Sequence, residues 1–184
     1  MPINTGRIDI IMGCMFSGKS TEIIRLVNRY KALNKTILTI NHVSDSRYKQ
    51  NSIVTHNKVS IDCTSLDSLS NVPKMDIYNS LDVIVIEEAQ FFKDLYEFVL
   101  NAADKDNKII IIGGLDGDSN RNEFGDIIKL IPKCDSVKKL HALCSICKDG
   151  TLACFTKRLV DNKEQVLIGV NEFTPVCRYH YNNT

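Results

Sequence analysis

The chain has 184 residues and a formal net charge of +1, with 23 Lys and Arg against 22 Asp and Glu. That balance excludes the broad basic footprint of a general nucleic-acid binder, and the length suits one ordinary domain or a main domain with a small appendage. No apolar run reaches the length of a membrane span, and the polar start Met1 to Arg7 lacks the apolar core of a signal peptide, so a cytoplasmic protein is expected.

In chain order, Arg7 to Met12 reads as a strand. Gly13-Cys14-Met15-Phe16-Ser17-Gly18-Lys19-Ser20 then fits G-x-x-x-x-G-K-[ST]. It opens an amphipathic segment, Thr21 to Leu33, with Ile23, Val27, Tyr30 and Leu33 at helical spacing. Strand, loop and helix are the context a phosphate loop needs. Glycines let the backbone curl so that several N–H groups face one anion, and the helix N-terminus adds partial positive charge. Lys19 is expected on the β- and γ-phosphates of a nucleotide, and the Ser20 hydroxyl on Mg²⁺.

Thr36 to Ile40 is a β-branched run and a second strand. Residues 45–70 are polar and turn-rich, and read as an irregular loop with one short hairpin. Asp82 to Ile86 is a continuous apolar run, as in a strand buried on both faces. It ends in Glu87-Glu88. Acids at the carboxyl end of such a strand face the active crevice: Glu87 beside the metal, Glu88 beside the nucleophile as general base. Of Phe91 and Phe92, at least one belongs to the core, and the other offers a flat surface for a base. Asp94 to Ala103 reads as a helix and Lys108 to Ile112 as a strand stopped by Gly113-Gly114. Phe124, Ile127, Ile128 and Ile131 repeat at helical spacing up to Pro132. The alternation predicts a P-loop α/β fold with a parallel sheet flanked by helices.

Near Lys139 the texture changes. Of seven cysteines, Cys14, Cys63, Cys134 and Cys154 are isolated and read as small buried hydrophobes. Cys144-Ser145-Ile146-Cys147 and Cys177-Arg178-Tyr179-His180 form two pairs whose spacing suits one tetrahedral ion. Three thiolates and an imidazole leave no open position, so this Zn²⁺ would be structural, in a small zinc-ribbon-like subdomain.

Together these elements closely resemble the P-loop thymidine kinases of the cytosolic cellular, bacterial and poxvirus type, from Gly6 to Tyr181. The phosphate loop resembles the family's, with Cys14 where Pro is usual. Asp45-Ser46-Arg47-Tyr48 with Thr55-His56, Glu87-Glu88-Ala89-Gln90-Phe91-Phe92 and Gly114-Leu115-Asp116-Gly117-Asp118 are similar to further family segments. Thr156-Lys157-Arg158 and Val166 to Phe173 look like the loop that lies over the nucleoside.

The resemblance implies transfer of the γ-phosphate of ATP to the 5′-hydroxyl of thymidine, and of deoxyuridine, in nucleotide salvage for DNA synthesis. It implies that Gly13, Met15, Phe16, Ser17, Gly18, Lys19, Ser20 and Thr21 hold ATP, with Glu87 and Gln90 on the same side. Ser20 and Glu87 would serve Mg²⁺, and Asp45 and Arg47 would support the metal and the transferring phosphate. Glu88 would deprotonate the hydroxyl. Met15, Phe91, Leu115, Ser119 and Phe124 would line the thymine pocket, and the backbone at Glu164, Gln165, Val166, Leu167 and Ile168 would hydrogen-bond the base beside Phe173. Cys144, Cys147, Cys177 and His180 would hold zinc. The implied division is 1–140 for the ATP-binding domain and 141–184 for the zinc subdomain with the nucleoside-covering loop. A homotetramer inhibited by thymidine triphosphate is implied as well, without nucleic-acid or membrane partners.

Four more positions depart from the family pattern. Glu87 replaces Asp, Ser119 stands where an aromatic is common, Ile168-Gly169 replaces two glycines, and Phe173 replaces Tyr. Three rival classes share parts of the pattern: a nucleic-acid-directed ATPase with a zinc ribbon, a P-loop kinase of another small acceptor, and a binding protein that has lost catalysis.

Overall fold

Strand β1 (Arg7–Gly13) lies inside a six-stranded, wholly parallel sheet, ordered β5-β2-β6-β7-β1-β8. The others are β2 (Ile37–His42), β5 (Thr64–Leu66), β6 (Val83–Ile86), β7 (Ile109–Gly114) and β8 (Ser136–Leu140). The computed structural model describes residues 5–45, 52–54, 60–161, 164–167, 169 and 171–183.

Side chains alternate across a strand with period two, so each apolar run supplies both faces of the sheet. Ile8, Ile10, Ile84, Ile86, Ile110 and Ile112 point to one face, where they pack with Phe92 and with Leu95 and Val99 of α2 (Leu95–Leu100). Ile11, Val83, Val85 and Ile111 point to the other, against Ile23 and Val27 of α1 (Lys19–Lys31). Covering both faces is what a parallel sheet requires. All strands run the same way, so their carboxyl ends share one rim, and the segments that follow β1, β2, β6 and β7 converge there.

Several expectations are refined. The hairpin within 45–70 is β3 (Ser52–Val54) against β4 (Ser60–Asp62), but that region also supplies β5, a parallel edge strand. Gly113 and Gly114 do not stop β7; they belong to it. A Cβ on Gly113 would lie 2.2 Å from Glu87 Oε2, and one on Gly114 2.3 Å from Ile127 Cδ1, so close packing is what demands glycine there. Helical spacing from Phe124 becomes a turn and a 3-10 helix, Ile128–Lys133, that contains Pro132. Gly125, at φ 65°, blocks a helix from starting at Phe124. Helix α2 passes into a π-helical turn, Asn101–Lys105. Cys14 is buried, whereas Cys63, Cys134 and Cys154 are only partly so.

Beyond β8 the chain forms two small antiparallel pairs. β9 (Ala142–Leu143) pairs with β10 (Leu152–Ala153), and β11 (Phe155–Arg158) with β12 (Phe173–Val176). Helix α3 (Arg178–Asn183) follows. Their interior, Ala142, Cys144, Ala153, Val176 and Cys177, also includes Cys14 of the glycine loop.

Candidate active site

The glycine loop leaves β1 at Gly13 (φ 149°), where a Cβ would collide with the Leu140 carbonyl. Positive φ at Phe16 (63°) and Gly18 (85°) interrupts the right-handed residues, the pattern that turns successive N–H groups toward one anion. Lys19 Nζ donates to the Cys14 carbonyl at 2.9 Å, folding the ammonium back over the loop. Ser17 Oγ is buried and has no hydrogen-bond partner among the described residues, a polar atom of the loop that a phosphate oxygen would satisfy. Thr21 lies in the first turn of α1, exposed to solvent.

Ser20 Oγ donates to Glu87 Oε1 at 2.5 Å, joining the helix start to the end of β6. A hydroxyl and a carboxylate so placed are the hard oxygen ligands that suit Mg²⁺. Glutamate at this position has its space made by Gly113, over which Oε2 lies.

Glu88 has φ 52° and ψ 40°, left-handed for a non-glycine residue, and it is buried. Its Oε2 accepts from Gln90 Nε2 at 2.5 Å, and Gln90 Oε1 accepts the N–H of Leu115 at 3.0 Å. Gln90 thus ties the acid to the segment after β7.

A cleft opens beside Glu88. Met15 of the glycine loop lines it, with Phe91, Leu115, Ser119, Phe124, Gln165, Val166, Leu167 and Phe173. Phe124 meets Phe91 edge-on at 5.5 Å, which makes one wall aromatic. Asp45 and Gln90 also reach the cleft, and Asn41 Nδ2 donates to Asp45 Oδ2 at 3.1 Å. Glu164 is described but is not part of the wall; Arg47 and Ile168 lie outside the described residues, as do Tyr48, Thr55 and His56. Sequence reasoning did not select Ser44, Gly117, Asp118, Thr156, Arg158 or Gly169, which complete the lining. All of these but Ser44 carried a signal, as members of motif-like segments. Behind Phe91 stands His42, its ring 5.4 Å away. Burial pushes the His42 imidazole below its usual pKa, and its Nδ1 accepts the N–H of Ser44 at 3.1 Å.

Two hydrogen bonds bind the glycine loop to the C-terminal strands. Met15 N donates to Thr156 Oγ1 at 3.0 Å, and Cys14 Sγ donates to the Ala153 carbonyl at 3.4 Å. A third joins Tyr181 OH of α3 to the Ser119 carbonyl at 2.7 Å, with the Arg121 guanidinium 4.3 Å above the Tyr181 ring.

Cys144, Cys147, Cys177 and His180 offer ligand atoms that all lie within 4.8 Å of one another. Cys147 Sγ and Cys177 Sγ are 3.8 Å apart, and His180 Nδ1 is 3.3 to 3.6 Å from the three sulfurs. A tetrahedron with Zn–S bonds of about 2.3 Å has edges of about 3.8 Å. Burial opposes ionisation of Cys144, but the N–H groups of Cys147, Cys177 and Ile146 outweigh it and bring the thiol down to about 6. The donor set therefore fits Zn²⁺.

The family model described as thymidine kinase matches residues 6–181. Thymidine kinase a of Arabidopsis thaliana is 43% identical over 181 residues, covering 96% of this chain and 75% of that protein. The thymidine kinase of Yaba monkey tumor virus (strain VR587) is 43% identical over 182 residues, covering 98% and 97%. That of Porphyromonas gingivalis (strain ATCC BAA-308 / W83) is 38% identical over 181 residues, covering 97% and 86%.

Proposed function

The chain belongs to the thymidine kinase family, and from that premise we propose how its residues carry out the phosphorylation of thymidine with ATP and Mg²⁺. The observation that carries the reading is the shared wall. Met15 of the glycine loop, Glu88 and the Phe91–Phe124 pair border a single cleft, so donor phosphate and acceptor nucleoside would meet beside one buried carboxylate.

In this reading the thymine ring lies between Phe91, Phe124 and Leu115, covered by the segment 164–167 with Phe173. Its 5′-hydroxyl then points at Glu88, which takes the proton as the oxygen bonds to the γ-phosphorus, and the bond from that phosphorus to the β–γ bridging oxygen breaks to release ADP. Gln90 fixes the Glu88 carboxylate in direction. Lys19 and the loop N–H groups hold the β- and γ-phosphates. Mg²⁺, held by Ser20 and Glu87, would offset the charge of the transferring group. Asp45 and Arg47 would support the same phosphate. Phosphoryl transfer asks the protein mainly for positioning and electrostatics, and both are built here from the ends of parallel strands.

The finer assignments extend the family reading. The division 1–140 and 141–184 follows the change from parallel sheet to small antiparallel pairs. Zn²⁺ at the Cys₃His set would be structural. A homotetramer, inhibition by thymidine triphosphate and a cytoplasmic location are proposed from family membership; no helix among the described residues is long and apolar enough to cross a membrane.

An ADP-release assay with each of the four common deoxynucleosides and deoxyuridine tests the reading. Turnover with thymidine and deoxyuridine is expected. ADP release that ignores the nucleoside would overturn it.

A further inference from the structure

Resting on the thymidine kinase reading, we propose that Asp118 is a positioning residue for nucleoside binding. Through a hydrogen bond to Gln165 it seats the covering segment on the wall of the base pocket.

The two side chains come from opposite sides of the cleft, 47 residues apart in the chain, and both line it. Asp118 is 7% exposed and its oxygens divide their duties. Oδ1 accepts the N–H groups of Asn120 and Asn122, each at 2.8 Å. Backbone bonds from Asp118 N to the Asn122 carbonyl and from Arg121 N to the Asp118 carbonyl close the same turn. The turn is therefore complete without Oδ2. Oδ2 faces the covering segment, where it accepts from Gln165 Nε2 at 3.1 Å, with Asn122 Nδ2 more distant at 3.5 Å.

The Gln165 amide also donates to the Glu123 carbonyl at 3.3 Å, next to Phe124 of the aromatic wall. Its own backbone carbonyl accepts from Arg158 at 3.3 Å, and that guanidinium lies 5.4 Å from the Phe173 ring. Among the described residues, no backbone–backbone hydrogen bond outside regular elements involves 164–167. The side-chain bonds described for this segment include two assisted by a full charge, Asp118 accepting from the Gln165 amide and Arg158 donating to the Gln165 carbonyl, and the first is the one that ties it to the turn after β7. Val166 and Leu167 follow directly on the wall. Loosening Gln165 would release the residues that cover the base. Contacts to the base, distant from the reacting phosphorus, act alike in ground and transition states, so the effect belongs on KM.

The chemistry permits a polarity swap. Asp118→Asn keeps an oxygen for the two turn N–H groups but turns an NH₂ toward the NH₂ of Gln165. Gln165→Glu alone sets two carboxylates against each other. Together the substitutions restore one donor and one acceptor with the direction reversed. Each single variant is expected to raise the thymidine KM roughly tenfold, with kcat within about twofold, the size of one charge-assisted bond. The double variant still lacks the donor to the Glu123 carbonyl, so it is expected to recover part of that loss and to bind thymidine better than Gln165→Glu alone, which independent effects would not do.

Hydrogen exchange of the 164–167 amides in nucleoside-free protein gives a second readout that needs no turnover. Exchange should be faster in both single variants and slowed again in the double. Unchanged KM and exchange in the single variants, or a double variant whose defects simply add, would overturn the proposal. Failure of the unmodified protein to phosphorylate thymidine would instead strike the kinase reading, while the exchange pattern would still decide the Asp118–Gln165 bond.

Discussion

Glu88 adopts a left-handed conformation that costs a side-chain-bearing residue of the order of 1–3 kcal/mol, and it does so where β6 gives way to the site. The turn brings its carboxylate onto the cleft wall, where Gln90 holds it. Glu88→Gln is expected to lower kcat roughly a hundredfold or more while ATP binding persists, since only the charge is lost. Near-normal turnover would remove Glu88 from the role of base. Ser119 lines the same cleft, with a hydroxyl where the family commonly has a ring. Ser119→Phe is expected to lower the thymidine KM with kcat changed less, because added apolar contact is worth about 1.5–3 kcal/mol by area. Steady-state kinetics would show a raised KM if the Phe91–Phe124 pair already fills that space. At this scale the sequence was legible wherever chemistry is concentrated in neighbours, as in Glu87-Glu88 or Cys144 with Cys147. It was silent on the contact between Asp118 and Gln165: one stood in a family-like segment and the other among the positions implied to bond the base through the backbone, and only the fold brings their side chains together.

Elements are joined at few points, and those joints can be tested. Thr156 of β11 receives the N–H of Met15, and both residues are buried. Thr156→Val keeps the shape but strands that N–H, at a cost of about 1–3 kcal/mol. A fall of several degrees in Tm is expected for a chain of this size; an unchanged Tm would mean that water reaches the amide. Glu22 of α1 bonds Arg25 in its own helix and Lys138 of β8. Hydrogen bonding by Arg25, and then by Lys138, outweighs burial and brings its carboxyl from 4.5 down to about 2. Stability from this group is thus complete above the unfolded value near 4.5 and is lost as pH falls toward 2. Its partners are half-exposed, so the contribution is small and sensitive to salt. The Tm gap between the parent and Glu22→Gln should narrow as pH falls from 6 to 3; a gap independent of pH would contradict the linkage. The central strands were plain in the sequence because burial on both faces leaves continuous apolar runs. β8 was not, because Ser136 to Lys139 is mostly polar and is exposed at the sheet edge, where pairing with β1 makes it a strand.

Across the whole molecule, the Cys₃His set lies at the far end of a short chain of contacts to the pocket. His180 precedes Tyr181, whose hydroxyl holds the Ser119 carbonyl, while β11 carries Thr156. Purified protein is expected to carry about one zinc per chain, and Cys147→Ser to lose it. Structural zinc supplies roughly 10–16 kcal/mol of apparent binding energy, so the strands from β9 onward should loosen with it. Thymidine should then cease to raise Tm even though the parallel sheet remains folded by circular dichroism. Metal analysis that finds no zinc in fresh, active protein would end this reading.

Strand β1 is paired on both sides by strands that come late in the chain, Ile109–Gly114 and Ser136–Leu140. On the ribosome, where residues are added at about 5–20 per second, Arg7–Gly13 is made first and must wait on the order of ten seconds for its second neighbour. Throughout that interval Ile8, Ile10 and Ile11 belong to a nascent segment with an unfilled edge, the kind of surface that holding chaperones grip. Gly13 itself pairs with Leu140. The nucleotide-binding loop therefore takes its final shape only after Leu140, far along the chain from it, has been translated.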